Sequence, residues 1–267
     1  MCCSSCPLSL GFTLPLEQSW ISTYGQVGPF SGMVVGLYRT FLLVLAFIVL
    51  INAIDDYLVE PEDFGYFFIY LTHWGAMLEF AYFLILCVTT WLAAPAEAAD
   101  KKECTQSTPL FVSVTWILGS ILPSVAFLIV LLYWTLVYDG GNVKLSSVIL
   151  HGGNYIPVLM DLLSTRQPFY LRHVYVPLIL ALVYSLFTVF YYIADGDNET
   201  GDPYIYSAIN WQDSPGTTLV TLVFAACVGV PLAHALHYLL TWMIRSLSVE
   251  ADPLDSAGSK VHPEEKA

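Results

Sequence analysis

Six stretches of this chain are long and apolar enough to cross a bilayer: 33–54, 65–93, 109–138, 143–163, 174–194 and 217–244. A crossing helix needs about 20 mainly apolar residues at ~1.5 Å rise each. Inside hydrocarbon every backbone polar group must be satisfied within the structure, so runs of this length read as helices. The expected fold is therefore an all-α membrane protein, a bundle of six transmembrane helices. Charged residues make up only 12% of the 267, about half the share in an ordinary soluble domain. The scarcity runs along the whole chain, which excludes a soluble domain on a single anchor. The chain divides into an N-terminal segment (1–32), a membrane domain (33–244) and a polar tail (245–267) expected to be disordered. The second, third and sixth runs are long, so tilt or a kink is expected, with Gly119 to Pro123 and Gly229 to Pro231 as candidate sites.

Lysine and arginine set the orientation. Lys101, Lys102, Arg166, Arg172, Arg245, Lys260 and Lys266 fall in the loops after the second and fourth runs and in the tail. Lys144 alone lies on the opposite side, and Arg39 is expected to snorkel toward the basic side. The positive-inside rule then places both termini in the cytosol. Asn198-Glu199-Thr200 is a glycosylation sequon in a loop that this topology puts outside. The N-terminus lacks the basic start and apolar core of a signal peptide. Its Cys2, Cys3 and Cys6 would be cytosolic and are candidates for palmitoylation. Cys87 and Cys227 lie in spans and Cys104 in a cytosolic loop, so no structural disulfide is expected. The formal net charge of −13 offers no basic patch for phosphates, which argues against a nucleic-acid partner. The partners are membrane lipids, in the plasma membrane or the endoplasmic reticulum.

Against this apolar background the polar residues stand out. The fourth run carries Ser147, His151, Asn154 and Asp161 at i, i+4, i+7 and i+14, which is one helix face. Such a stripe is costly against lipid and should turn into the bundle interior or a water-filled cavity. The second run carries Thr72 and His73, with Glu79 seven residues after Thr72 on the same face. The sixth carries His234 and His237. Counting from the outer edge, Thr72, His73, His151 and Asn154 all lie at a depth of roughly 10–17 Å. Asp161 lies deeper, at the level of His234 and His237. Two polar layers are expected: an outer one of Thr72, His73, His151 and Asn154, and an inner one of Asp161, His234 and His237, with Glu79 between.

Three chemistries fit these residue types. They can be interhelical hydrogen bonds, worth roughly 0.6 kcal/mol each in a membrane. They can be catalytic, with Thr72 as nucleophile and His151 or His73 as the base that takes its proton, in a buried site suited to a lipid ester. They can hold a metal, but their scatter over three helices forms no compact ligand motif. No metal and no cofactor is expected.

Several stretches resemble the rolling stone family of multi-pass membrane proteins. They are Leu37-Tyr38-Arg39, YFFIYLTHWG (66–75), LHGGNYIPVLMDLL (150–163), and LRHVYVPLILALVYSLFTVFYYIADG with the following DPYIYSAINW (171–211). The resemblance covers most of the chain from Gly36 to about Ile244. It implies an integral membrane protein in membrane, cell-fusion or cell-contact biology, acting through membrane and protein contacts. A more distant similarity is to the androgen-induced family of six-span hydrolases, which cleave fatty-acid esters of hydroxy fatty acids. That similarity implies a Thr nucleophile at Thr72 and a His-Gly-x-His segment, here His151-Gly152-Gly153-Asn154 followed by Pro157 and Asp161. The family's second His is Asn154 in this chain, and Asn is not a base. His151 or His73 would have to take the role.

Overall fold

The computed structural model describes residues 26–27, 30–59, 61–99, 109–138, 140–165 and 167–250. Two short strands, β1 (Gln26–Val27) and β2 (Phe30–Ser31), pair antiparallel ahead of the first helix. The helices are α1 (Met33–Val59), α2 (Leu71–Ala99), α3 (Leu110–Leu132), α4 (Leu145–Val148), α5 (Tyr155–Ser164), α6 (Tyr175–Ile193), α7 (Pro215–Phe224) and α8 (Val230–Glu250). A 3-10 segment, Pro61–Ile69, joins α1 to α2, and another, Leu171–Val174, leads into α6. Three π-helical segments extend or join the others: Tyr133–Val137 after α3, Ile149–Gly153 between α4 and α5, and Ala225–Gly229 between α7 and α8.

Among the described residues five helices are long and apolar enough to cross a membrane. They correspond to five of the six expected runs. The sixth, 143–163, is helical but is built from three short pieces, α4, the π segment and α5. The physical reason lies in its sequence. Gly152 and Gly153 lower helix propensity by about 1 kcal/mol each. Pro157 has no N–H to give the Gly153 carbonyl. The same logic applies at Gly229–Pro231. Pro231 denies the Cys227 carbonyl its α-helical donor, and the chain answers with the π segment Ala225–Gly229. By contrast α3 runs uninterrupted through Gly119 and Pro123.

Helix α3 is the hub. It touches α2, α5, α6 and α8, while α1 packs along α2. Its buried side chains include Trp116, Leu122 and Ile129, which join Leu42, Phe83 and Leu86 in the main core. Small residues allow close approach: Ser120 and Ser124 are fully buried on the same helix. The opposite faces are exposed and apolar, as at Phe41 and Ile48 on α1 and Ile179 and Phe190 on α6. This inside-out polarity is that of a protein whose solvent is lipid.

Candidate functional site

At the end of the bundle where α1 meets the first 3-10 segment, a polar chamber of about 390 Å³ opens. Thr72, His73 and His151 all line it. These are three of the four residues expected in the outer layer. The fourth, Asn154, is buried but does not line the chamber, and its Oδ1 has no hydrogen-bond partner among the described residues. The π segment explains the split. An i→i+5 turn displaces the register of a regular helix, so His151 and Asn154 no longer share one face.

Both imidazoles are held by backbone carbonyls. His151 Nδ1 lies 3.0 Å from the Ser147 carbonyl, and His73 Nδ1 lies 2.8 Å from that of Phe67. A carbonyl only accepts, so each Nδ1 carries the proton and the neutral ring keeps its lone pair on Nε2. The His151 ring stacks on Tyr133 at 3.4 Å, and His73 stacks on Phe67 at 4.5 Å.

A second, apolar groove of about 120 Å³ lies beside the chamber, between α3, α6 and the continuous α7–α8 span. Its wall includes Val125, Leu128, Leu180, Leu222 and Val230. Four residues belong to both spaces: Thr72, Tyr133, Val137 and Tyr206. Thr72 therefore sits where a polar space and an oily one meet. Tyr206 is the rest of that partition. Its hydroxyl accepts a hydrogen bond from the Leu71 N–H at 3.1 Å and interacts with the side chains of Thr72 and Tyr184. Desolvation pushes its phenol up, so it remains a neutral hydroxyl. The three π segments all border these two spaces, through Tyr133 and Val137, through Leu150 and His151, and through Ala225 and Ala226. Irregular helix geometry of this kind is frequent at functional sites.

The loop after α6 forms the chamber's outer wall with Asn198, Glu199, Tyr204 and Tyr206. Its turn is built on the sequon. Asn198 Oδ1 accepts from the Thr200 N–H at 3.0 Å, the Thr200 hydroxyl at 2.7 Å and the Asp202 N–H at 2.8 Å. Asn198 is thus buried within its own loop. The loop is tied to the first 3-10 segment and its end by Tyr66 donating to Asp197 at 3.1 Å and by Tyr70 donating to Glu199.

The expected inner layer does not form as one cluster. Asp161 accepts a 2.5 Å hydrogen bond from Tyr82, and its Oδ1 faces Arg39 Nε at 4.0 Å. His237 pairs with the Tyr155 hydroxyl at 2.8 Å, and His234 with Ser124 at 3.3 Å and the Tyr170 carbonyl at 3.1 Å. The histidines bind α3, α5 and the approach to α6, while Asp161 bonds to Tyr82 and faces Arg39. Arg39 does not snorkel to the interface. It is wholly buried, donating to Thr90 at 2.6 Å and Thr165 at 3.3 Å. Those partners, with Asp161, offset the desolvation that would otherwise drive it outward. Glu79 is buried between the two regions, and its Oε1 has no hydrogen-bond partner among the described residues. No cluster of three or more His, Cys, Asp or Glu suited to a metal occurs among the described residues. Cys2, Cys3 and Cys6 lie outside the described residues.

The family profile described as "Protein rolling stone" matches residues 31–254. The chain belongs to the rolling stone family. It is 30% identical to the Drosophila melanogaster protein rolling stone over 206 residues, 71% of this chain and 73% of that one. No solved structure matches it. With the apolar helices, this makes the chain an integral, multi-pass membrane protein of the rolling stone type. The match contains both the Thr72 end of α2 and the 195–213 loop, so the chamber lies within the family's shared region. Tyr133, Tyr184, Tyr206, Glu199 and Arg39 are site or core residues that the polar-stripe argument did not single out. Tyrosine at a span end reads as an interface anchor, and nothing in its spacing marks it as a cavity wall.

Proposed function

We propose that this rolling stone family member holds an amphiphilic lipid inside the bundle, its polar end in the outer chamber and its chain in the apolar groove. The observation that carries this reading is that Thr72 lines both spaces. A polar space alone would suit water, and an oily groove alone would suit packing. Adjoining along Thr72, Tyr133, Val137 and Tyr206, they match the two halves of a lipid. The reading places the protein in the plasma membrane or the endoplasmic reticulum with its acidic end outside, as the distribution of lysine and arginine supports. Membership of the family supports a role in membrane, cell-fusion or cell-contact biology, with which a held lipid is compatible.

A second reading adds chemistry at the same place. It is favoured by the fixed tautomer of His151, whose Nε2 is free to act as a base. In this reading Thr72 Oγ attacks an ester carbonyl while the imidazole of His151 or His73 takes its proton. The alcohol leaves with that proton, and water then releases the acid from Thr72. The places of Thr72 and His151 on the chamber wall favour this, and Asn154 in place of the second His of the androgen-induced family counts against it.

The test has two arms. Extraction of lipid from purified protein, compared with Thr72→Phe, examines binding; the bulky ring should empty the site, and equal lipid content in both would refute it. Labelling with a fluorophosphonate probe examines catalysis. Label that is lost in Thr72→Ala supports the hydrolase, and absence of label in folded protein leaves binding alone.

A further inference from the structure

We infer that the chamber selects an amphiphile with an ammonium head and rejects one ending in a free carboxylate. This rests on the lipid-holding reading above and assigns the class of lipid. Among the described residues the lining contains Glu199 and no lysine or arginine. Lys144, at the start of α4, is exposed and does not line the chamber. An anionic head would therefore lose its hydration with no cation to replace it, which is costly in a partly dry space.

The hydrogen-bond directions point the same way. An anion could still be held by N–H and O–H donors, but several of the strongest donors here are already given to protein acceptors. The Tyr70 hydroxyl donates to Glu199, and that of Tyr204 is engaged with Asp202. Asn52 donates through Nδ2 to the Ser146 carbonyl at 3.0 Å. Both imidazoles spend their Nδ1 protons on carbonyls, as described above. What remains toward the chamber is rich in lone pairs and ring faces. Five tyrosines line it: Tyr57, Tyr70, Tyr133, Tyr204 and Tyr206. Aromatic faces beside a carboxylate are the chemistry that binds quaternary and primary ammonium groups.

The approach is acidic as well. Segments 55–63 and 195–213 carry five carboxylates each and no lysine or arginine. The bonds from Tyr66 to Asp197 and from Tyr70 to Glu199 bring the start of α2 and the loop after α6 together at the mouth. A field of this sign raises the local concentration of cations and repels anions.

The experiment uses the purified full chain in neutral detergent. Three photoactivatable probes share one alkyl chain and end in trimethylammonium, glycerol or carboxylate. Crosslinked peptides are mapped by mass spectrometry. The trimethylammonium probe should label the groove segments of α3, α6 and the α7–α8 span about tenfold more than the carboxylate probe, with glycerol between. Glu199→Lys should reverse that order, with Glu199→Gln, which keeps an acceptor for Tyr70, showing that the loop stays in place. Equal labelling by the ammonium and carboxylate probes would overturn the charge selection while leaving the lipid site standing. An order that persists in Glu199→Lys would also overturn it. No groove labelling by any probe would instead overturn the lipid-holding reading itself.

Discussion

The buried arginine gives the sharpest test of how the bundle is held. Arg39 on α1 reaches Thr90 on α2, Thr165 after α5 and Asp161 within α5, so one guanidinium joins three parts of the structure. Its Nε lies 4.0 Å from Asp161 Oδ1. At that separation two unit charges attract by about 4 kcal/mol at an effective dielectric of ~20. The two threonine bonds add roughly 1 kcal/mol together at ~0.6 each. Arg39→Met would remove all of this and leave Asp161 with only its Tyr82 partner among those described above. The expected cost is about 3–5 kcal/mol, because the remaining group is buried without its counter-charge. Asp161→Leu should cost a similar amount. The double variant should cost less than either single change, since it strands no charge. Reversible unfolding in mixed neutral and anionic micelles, followed by far-UV circular dichroism, gives the four free energies of the cycle. Two outcomes refute the reasoning: Arg39→Met costing under about 1 kcal/mol, or the two single costs simply adding. Either would mean that the pair contributes no more than an ordinary intramembrane hydrogen bond.

Glu79 is the contrasting case. Its Oε1 is buried with no hydrogen-bond partner among the described residues, so Glu79→Gln should change stability by less than about 1 kcal/mol in the same assay; a loss above ~2 kcal/mol would reveal an interaction that the carboxyl depends on. Asp202 gives a pH dependence at the loop. Hydrogen bonds from Thr200 and Asn198 hold its carboxyl below the ordinary value of 3.8. A depressed folded-state value means that the stabilisation is fully present above about pH 4 and is lost as the pH falls through the lower folded value. Hydrogen exchange should therefore show the 195–213 loop protected at neutral pH and opening in acid, and Asp202→Asn should weaken that acid-dependent change. At the N-terminus, acyl-exchange labelling should fall when Cys2, Cys3 and Cys6 are all changed to Ser, and unchanged labelling would exclude palmitoylation there.

How much of this was legible in the sequence follows from which forces are local. Five of the six expected crossing helices could be read from apolar length alone, because the bilayer fixes that length. That Thr72, His73 and His151 would share a space could be read from matched depth, since residues at one level on neighbouring helices can meet. Asp161 and His237 show the limit of that rule. Depth gives the level, but rotation about each helix axis decides which neighbours a side chain sees, and that depends on packing around α3. Arg39 shows another limit. A rule about snorkelling assumes that no partner waits inside, and the partners here come from α2, α5 and the residue after it.

The irregular segments carry a further lesson about where selectivity resides. Pro157 and Pro231 each leave a carbonyl one turn earlier without its α-helical donor, and a π segment follows from each. Tyr133–Val137 closes with the Tyr138 N–H bonded to the Tyr133 carbonyl at 2.9 Å, an i→i+5 bond with no proline to cause it. Its ring stacks on His151, so the aromatic contact and the shifted backbone occur together at the chamber wall. The spans thereby supply a fixed frame and an oily groove, both dictated by the membrane. The 195–213 loop adds Glu199, Tyr204 and Tyr206 to the polar face of the chamber, beside Thr72, His73 and His151 from the helical segments. That loop joins two of the membrane-length helices and belongs to neither. If the proposed lipid site holds, substitutions in the loop should alter the preferred headgroup, while substitutions on α3, α6 and the α7–α8 span should alter the preferred chain.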